Sequence, residues 1–321
     1  MISDIFKIFL IGSLAFIPIL IWGYIFSYID NSALNSRRFI SGIIAGGFSV
    51  VPVLYSEQIY NFFSASFLNI FNLIGINGNF FYVIVSLLFL TFLIAIILFL
   101  TSLIFFKGSF DIFKIYGKNI VGISIFILIF AILNKIIPNI GFLDLNISSP
   151  VSIGKNVFNT LGLIILYYII IGLVEEISKH FSFLPSSITE IDSVQKGVLL
   201  ATFIALGFGF IENILYLYNI SIDRGVVSGD FATTLIFRSI FSLFVHIFCG
   251  VIVGLYFSRA YLFLGKNTYF YIKTFLFGLI FSITLHAIFD ISLTLGFTPI
   301  IFIYAIYGYL YITKTFYKEE N

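Results

Sequence analysis

Long apolar segments dominate this chain and limit what it can fold into. A helix needs about 20 mostly apolar residues to cross the hydrocarbon core of a bilayer. Here 60% of the 321 residues are hydrophobic and 10% are charged, whereas a soluble domain carries roughly 25% charged residues because its surface faces water. The sequence therefore predicts an all-α, polytopic membrane helix bundle that lies in the cell membrane as a multi-pass protein.

The lengths of these segments predict about nine transmembrane helices. The second is short and contains Gly42, Gly46 and Gly47, which favours close packing between helices. Residues 59–74 carry apolar side chains at helical spacing and predict an additional interfacial helix. The predicted spans are residues 5–29, 39–55, 80–106, 119–136, 157–184, 194–220, 231–263, 271–295 and 299–316.

The distribution of Lys and Arg predicts an amino terminus outside and a carboxyl terminus inside, because basic loops stay in the cytoplasm. With nine spans, the outer loops keep only Lys155 and Arg224. We expect the first span to be retained, because it is too long for the apolar region of a signal peptide. The cytoplasmic side receives Arg37, Arg38, Lys107, Lys114, Lys118, Lys196, Arg259, Lys266, Lys273, Lys314 and Lys318.

Ionisable residues are concentrated in spans five to eight, where each is energetically costly. A charge at the centre of the bilayer costs about 2.5–3.5 kcal/mol on insertion scales, so a structural role rarely demands many. At about 1.5 Å per helical residue, their depths converge near the middle of the membrane, with Glu212 the deepest. We therefore expect one shared site. Its candidates are Glu175, Glu176, Lys179, Glu212, Arg238, His246, His286 and Asp290.

The pair Glu175–Glu176 precedes Lys179 by about one helical turn. Two adjacent carboxylates beside one ammonium suit acid–base chemistry, because one can hold a proton while the other stays ionised. The alternative is a salt bridge at the end of the helix that reaches to the interface. In span six, Glu212 and Asn213 lie about one turn beyond Phe208, and a buried glutamate there could also join two helices.

Two histidines complete the candidate site. His246 begins a stripe with glycines at a spacing of four, so a neighbouring helix can approach the face that carries the imidazole. His286 and Asp290 share a helix face, which predicts that the carboxylate orients the ring. Arg238, about two turns from His246, is interpreted as a structural counter-ion.

In this order, the motifs resemble those of the PrsW family of intramembrane proteases. They are Glu-Glu-x-x-Lys, Gly-x-Gly-Phe-x-Glu-Asn, an Arg followed by His-x₃-Gly-x₃-Gly, and His-x₃-Asp, within residues 161–291. The family is distantly similar to CAAX prenyl endopeptidases and bacteriocin self-immunity proteins. Its members are implicated in cleaving membrane-anchored regulators such as anti-sigma factors, so the resemblance implies a similar substrate. It also implies a division into N-terminal membrane helices (1–150, four spans and the interfacial helix) and a catalytic membrane core (151–321, spans five to nine).

The resemblance also implies a role for each residue. Glu175 would be the base that activates water, with Glu176 supporting it. Glu212 takes the place of a histidine that shares the water in the prenyl enzymes. His246 or His286, the latter with Asp290, would stabilise the oxyanion or protonate the leaving amine.

Two features of the sequence differ from the prenyl enzymes. The prenyl enzymes carry a motif similar to Glu-Glu-x-x-x-Arg. In this chain the basic residue is Lys179, one position earlier than that Arg, and Glu212 replaces a histidine. Both differences argue against a prenylated substrate.

The leading hypothesis is an endopeptidase that uses glutamate-activated water, without metal or other cofactor, on a membrane-anchored protein in the lipid bilayer. A metal-dependent protease is an alternative, because the cluster has enough N and O ligands for zinc, although it contains no His-Glu-x-x-His. A proton- or cation-coupled transporter is another, because buried Glu, Asp and His also relay protons. A nucleic-acid partner is not expected, because the net charge is only +2 and no basic patch is present.

Overall fold

The computed structural model describes residues 2–29, 36–62, 64–65, 146–153, 155–262 and 268–318. Helices make up most of this part of the chain, as predicted. The elements are α1 (Ile2–Ile29), α2 (Ser36–Phe48), a 3₁₀-helix (Val51–Tyr55), β1 (Asn146–Ile153), β2 (Asn156–Thr160), α3 (Leu161–Glu190), α4 (Val194–Asp223), α5 (Gly229–Phe237), a π-helical turn (Arg238–Ser242), α6 (Leu243–Leu262), α7 (Thr268–Thr294) and α8 (Thr298–Lys318).

Six helices in the described ranges are long and apolar enough to cross a membrane: Ile5–Phe26, Arg37–Phe62, Leu161–Phe183, Val194–Asp223, Gly229–Leu262 and Phe270–Thr294. They correspond to predicted spans one, two and five to eight, and the protein is a multi-pass membrane protein. Predicted spans three and four (80–106 and 119–136) and most of the interfacial helix (59–74) lie outside the described residues. The predicted ninth span is the helix α8, and its position across the membrane stays a prediction, as does the orientation of the chain.

A β-hairpin precedes α3 where the sequence predicted the start of span five. Residues 157–160 belong to β2, so the prediction that the helix begins at residue 157 is wrong, and α3 begins at Leu161. β2 pairs antiparallel with β1, with Ile153 opposite Asn156. Phe158 of β2 packs against the rings of Tyr60 and Tyr167, at centroid distances of 5.9 and 5.1 Å. This aromatic contact fixes the hairpin against α3.

Polar side chains set the starts of two helices that carry the candidate site. The hydroxyl of Ser193 accepts a hydrogen bond from the backbone N–H of Lys196 and caps α4. Ser228 caps α5 in the same way through the N–H of Phe231. Such caps satisfy N–H groups that have no partner within the helix. Between these helices the chain turns at Gly225, where φ is +80° and a residue with a Cβ atom would be strained.

Glycines bring α2 and α4 into direct backbone contact. A Cβ atom on Gly46 would collide with the carbonyl oxygen of Ile204, and one on Gly207 would collide with that of Ile43. No side chain fits at this crossing. The prediction that the glycine-rich second span packs closely is therefore confirmed.

A second glycine stripe brings α6 against α4. A Cβ atom on Gly254 would lie 2.7 Å from that of Ala201, and one on Gly250 would lie 2.9 Å from that of Ala205. This is the stripe that follows His246, and the predicted close approach is confirmed. α4 contacts α1, α2, α3 and α6, while α7 contacts α3 and α6. The helices that carry the candidate residues are therefore neighbours.

Candidate active site

The two adjacent carboxylates of α3 point in different directions, because neighbouring residues on a helix are about 100° apart. Glu176 is 1% exposed and accepts hydrogen bonds from Lys179 Nζ (2.7 Å) and the hydroxyl of Ser282 (3.0 Å). Its Oε1 also lies 2.8 Å from Nδ1 of His286. These contacts hold Glu176 in one position. Lys179 is itself buried, so the alternative of a lysine reaching to the interface is wrong.

Glu175 faces a cavity and keeps one buried oxygen without a hydrogen bond. This atom, Oε2, has no hydrogen-bond partner among the described residues. It lies 3.3 Å from Nε2 of His286 and 3.9 Å from Nδ1 of His246. The cavity has a volume of about 340 Å³, and Glu212 and Asp290 also line it. Because a buried oxygen without a donor is costly, this atom is a natural place for a water molecule, an ion or a substrate group.

Both ring nitrogens of His246 have partners. Nδ1 lies 3.0 Å from Nζ of Lys179, and Nε2 lies 2.6 Å from Oε2 of Glu212. An ammonium group can only donate, so we assign Nδ1 as the acceptor and Nε2–H as the donor to Glu212. The ring of Phe208 packs on the imidazole, at a centroid distance of 5.0 Å, and under the ammonium group at 4.3 Å. Phe208 thereby restrains both the ring of His246 and the ammonium group of Lys179.

Glu212 reaches the site from α4 and has a second partner, which is cationic. Nη2 of Arg238 lies 2.8 Å from Oε2 of Glu212, the same oxygen that His246 contacts. Nε of Arg238 donates to Oδ1 of Asn213 at 2.9 Å. Glu212 was predicted to be the deepest of the candidates, yet it is bonded directly to His246. The structure thus brings α4 and α6 together at this carboxylate.

His286 is oriented by Glu176 rather than by Asp290. Nδ1 of His286 is 2.8 Å from Glu176, whereas Nε2 is 3.7 Å from Oδ2 of Asp290. The second distance is too long for a hydrogen bond. The prediction that Asp290 orients the ring is therefore wrong, although Asp290 does line the cavity. A residue four positions away was the obvious partner in the sequence, but a residue on another helix lies closer.

The five predicted catalytic residues converge on one site, and their chemical roles stay predictions. They are Glu175, Glu176, Glu212, His246 and His286. The supporting candidates Lys179, Phe208, Asn213 and Asp290 lie around them. Sequence reasoning missed Ser282, which bonds Glu176. Its spacing of four residues from His286 was the available signal, because this spacing puts both side chains on one face of α7.

Three atoms of this site fit a metal ion by chemical type and spacing. Glu175, His246 and His286 present possible ligand atoms within 4.8 Å of one another, and a set of two imidazoles and one glutamate binds zinc in hydrolases. The free Oε2 of Glu175 is consistent with such a ligand. Lys179 disfavours a metal ion at this position, because its ammonium group lies 3.0 Å from Nδ1 of His246. The three side chains therefore fit a metal ion when Nζ of Lys179 leaves His246 and keeps only its contact with Glu176.

Comparisons with known proteins agree with the motifs. A family model described as PrsW family intramembrane metalloprotease matches residues 116–315. Protease PrsW of Clostridioides difficile (strain 630) is 31% identical over 149 residues, which are 45% of this chain and 58% of that protein. The chain thus aligns with somewhat more than half of this relative's length. No solved structure matches.

Proposed function

Since the chain belongs to the PrsW family, we propose that it is an intramembrane endopeptidase for membrane-anchored protein substrates, such as a regulator similar to an anti-sigma factor. The observation that carries the proposal is the unpartnered Oε2 of Glu175, buried beside two imidazoles at the wall of a cavity. A transporter would also use buried carboxylates, but the family match favours peptide hydrolysis.

Glu175 acts as the general base in this proposal. Its free Oε2 accepts a proton from a water molecule as the water oxygen attacks the carbonyl carbon of the scissile peptide bond. The same carboxyl group then passes the proton to the leaving nitrogen when the C–N bond breaks. Glu212 lines the same cavity and binds the attacking water from the other side.

His286 is the better of the two candidates for the oxyanion donor. Both nitrogens of His246 are already engaged, by Lys179 and Glu212. His286 uses only Nδ1 for Glu176, and its Nε2 lies 3.3 Å from the base. When the ring carries both protons, Nε2–H can donate to the oxygen that becomes negative in the transition state. Glu176 holds the ring in that orientation.

Purified protein in nanodiscs, incubated with a single-span membrane protein substrate, tests this proposal. We expect Glu175→Gln to lower the cleavage rate by about 10²–10⁴-fold, the usual cost of losing a general base. Asp192→Asn is the matched control, because Asp192 is an exposed carboxylate paired with Lys196, and it should cleave at the wild-type rate. Cleavage by Glu175→Gln at the wild-type rate would end the glutamate mechanism.

A metal-dependent mechanism is the second candidate, favoured by the set of Glu175, His246 and His286. A bound zinc ion would supply an activated water at this position, with these three side chains holding it. Elemental analysis separates the candidates. A metal-free site predicts less than about 0.2 zinc per chain and activity that survives 1,10-phenanthroline. Near-stoichiometric zinc that disappears in His286→Ala would establish the second candidate.

A further inference from the structure

A π-helical turn interrupts the membrane helix that carries His246. This helix runs from Gly229 to Leu262, and residues Arg238–Ser242 within it form the π turn. A π turn holds one residue more than an α turn, and such turns occur often at functional sites. The extra residue lies between Arg238 and His246, so it changes how these two side chains are directed relative to each other.

The change can be estimated from helix geometry. Arg238 and His246 are eight positions apart. In an uninterrupted α-helix eight positions turn by about 800°, which leaves the two side chains about 80° apart around the axis. When the π turn absorbs one residue, the separation corresponds to seven positions, or about 700°, and the side chains lie only about 20° apart. They then project from the same face of the helix.

The contacts agree with this estimate. Nη2 of Arg238 and Nε2 of His246 both approach Oε2 of Glu212, at 2.8 and 2.6 Å. We infer that Arg238 is a positioning residue of the proposed peptidase site, which the π turn aims at Glu212 so that this carboxylate and His246 are held in place. The inference rests on the proposed function, because it assigns a task within that same site.

The remaining contacts of Arg238 fix the guanidinium group itself. Its Nε donates to Oδ1 of Asn213 at 2.9 Å, and its Cζ lies 3.8 Å from the ring centroid of Tyr216. Three residues of α4, namely Glu212, Asn213 and Tyr216, thus contact the side chain of Arg238. The planar guanidinium group can bond Glu212 and Asn213 at the same time, whereas the single ammonium group of a lysine cannot match this geometry. Arg238→Lys should therefore restore only part of the function.

A purely structural role for Arg238, joining α5 to α4, makes different predictions from a positioning role. Loss of a structural contact lowers the fraction of folded protein, whatever residue stands at position 212. Loss of a positioning contact acts through Glu212, so it has no further effect once that carboxylate is removed. It also lowers kcat rather than raising KM, because in this role Arg238 acts on the reaction through Glu212 and not by binding the substrate.

The test uses the full chain in nanodiscs and a single-span substrate, with kcat and KM measured for folded protein. Arg238→Gln should lower kcat by about 100-fold, the cost of misplacing a reacting group by about 1 Å, with KM unchanged within about twofold. Arg238→Lys should fall between this variant and the wild type. The double variant Arg238→Gln/Glu212→Gln should be no slower than Glu212→Gln alone. Arg224→Gln is the matched control, because Arg224 forms an exposed ion pair with Asp230, and it should leave kcat unchanged.

A second variant tests the π turn and keeps Arg238. Deleting Ile240, which is half exposed, removes the extra residue and leaves Arg238 and His246 seven α-helical positions apart, so Arg238 should still point at Glu212. Its kcat should therefore stay close to that of the wild type, and a loss as large as that of Arg238→Gln would refute the estimate that the π turn absorbs one residue.

Independent losses in the double variant, or an effect confined to KM, would overturn the positioning role while the proposed function stood. An inactive wild-type protein would instead remove both proposals.

Discussion

Lys179 is the buried cation on which two parts of the site depend, and its removal gives a measurable loss of stability. Its ammonium group lies 2.7 Å from Glu176 and 3.0 Å from Nδ1 of His246. Lys179→Met keeps the length and much of the volume of the side chain but removes the charge and both hydrogen bonds. Glu176 then keeps Ser282 and His286 as partners, whereas Nδ1 of His246 loses its donor.

The magnitude follows from these contacts. Breaking a buried ion pair by removing one partner costs about 3–5 kcal/mol. Because Glu176 keeps two partners, we expect the lower end of this range, about 3 kcal/mol in the free energy of unfolding, or about a hundredfold in the folding equilibrium. Trp22 is the only tryptophan and packs against Phe244 of α6. Its fluorescence therefore reports the unfolding of the bundle in detergent.

The control for this experiment is Lys196→Met, the same substitution in an exposed ion pair with Asp192. Solvent screens such a pair, so its loss should leave the unfolding curve within experimental error of the wild type. If Lys179→Met unfolds at the same denaturant concentration as Lys196→Met, the buried ammonium group does not stabilise the site. The assignment of Nδ1 of His246 as an acceptor would then lose its support.

Two further predictions follow from packing and from orientation. Gly46→Leu should unfold at a lower denaturant concentration than Gly229→Leu, because a side chain at Gly46 collides with the backbone of α4 whereas Gly229 has open space around it; equal stabilities would contradict the close crossing. In a Cys249→Ala background, a thiol introduced by Val227→Cys should react with an impermeant reagent from outside the cell, and one introduced by Arg37→Cys only from the cytoplasm. The opposite pattern would invert the predicted orientation.

The existence and composition of the site could be predicted from the sequence because buried ionisable residues are costly in a membrane. Glu175, Glu212, His246 and His286 stood out for that reason alone, and the structure brings them to one cavity. Their pairing could not be predicted in the same way. Asp290 was chosen as the partner of His286 from its spacing along one helix, whereas the shorter contact comes from another helix.

The π turn and the hairpin were missed for related physical reasons. Periodicity assumes 3.6 residues per turn, and on that basis Arg238 was interpreted only as a structural counter-ion about two turns from His246. One additional residue in a turn leaves no mark in hydropathy. In the hairpin, Val157 and Phe158 extended the apolar segment that follows, so a span was predicted to begin there. The strand is visible only in the pairing of its backbone with β1.

The burial of α4 has a consequence for the kind of sequence that this helix can carry. Every residue from 197 to 209 is buried inside the protein, so this part of the helix contacts other helices rather than lipid. The side chains of a lipid-facing helix must be apolar, whereas the side chains of this segment must above all have a volume that fits between the neighbouring helices. Thr202 lies there fully buried, and its hydroxyl bonds the carbonyl of Val198. In a library of variants, enlargements should be lost at such positions, and a polar replacement should survive where, as at Thr202, its side chain can bond a carbonyl of the same helix.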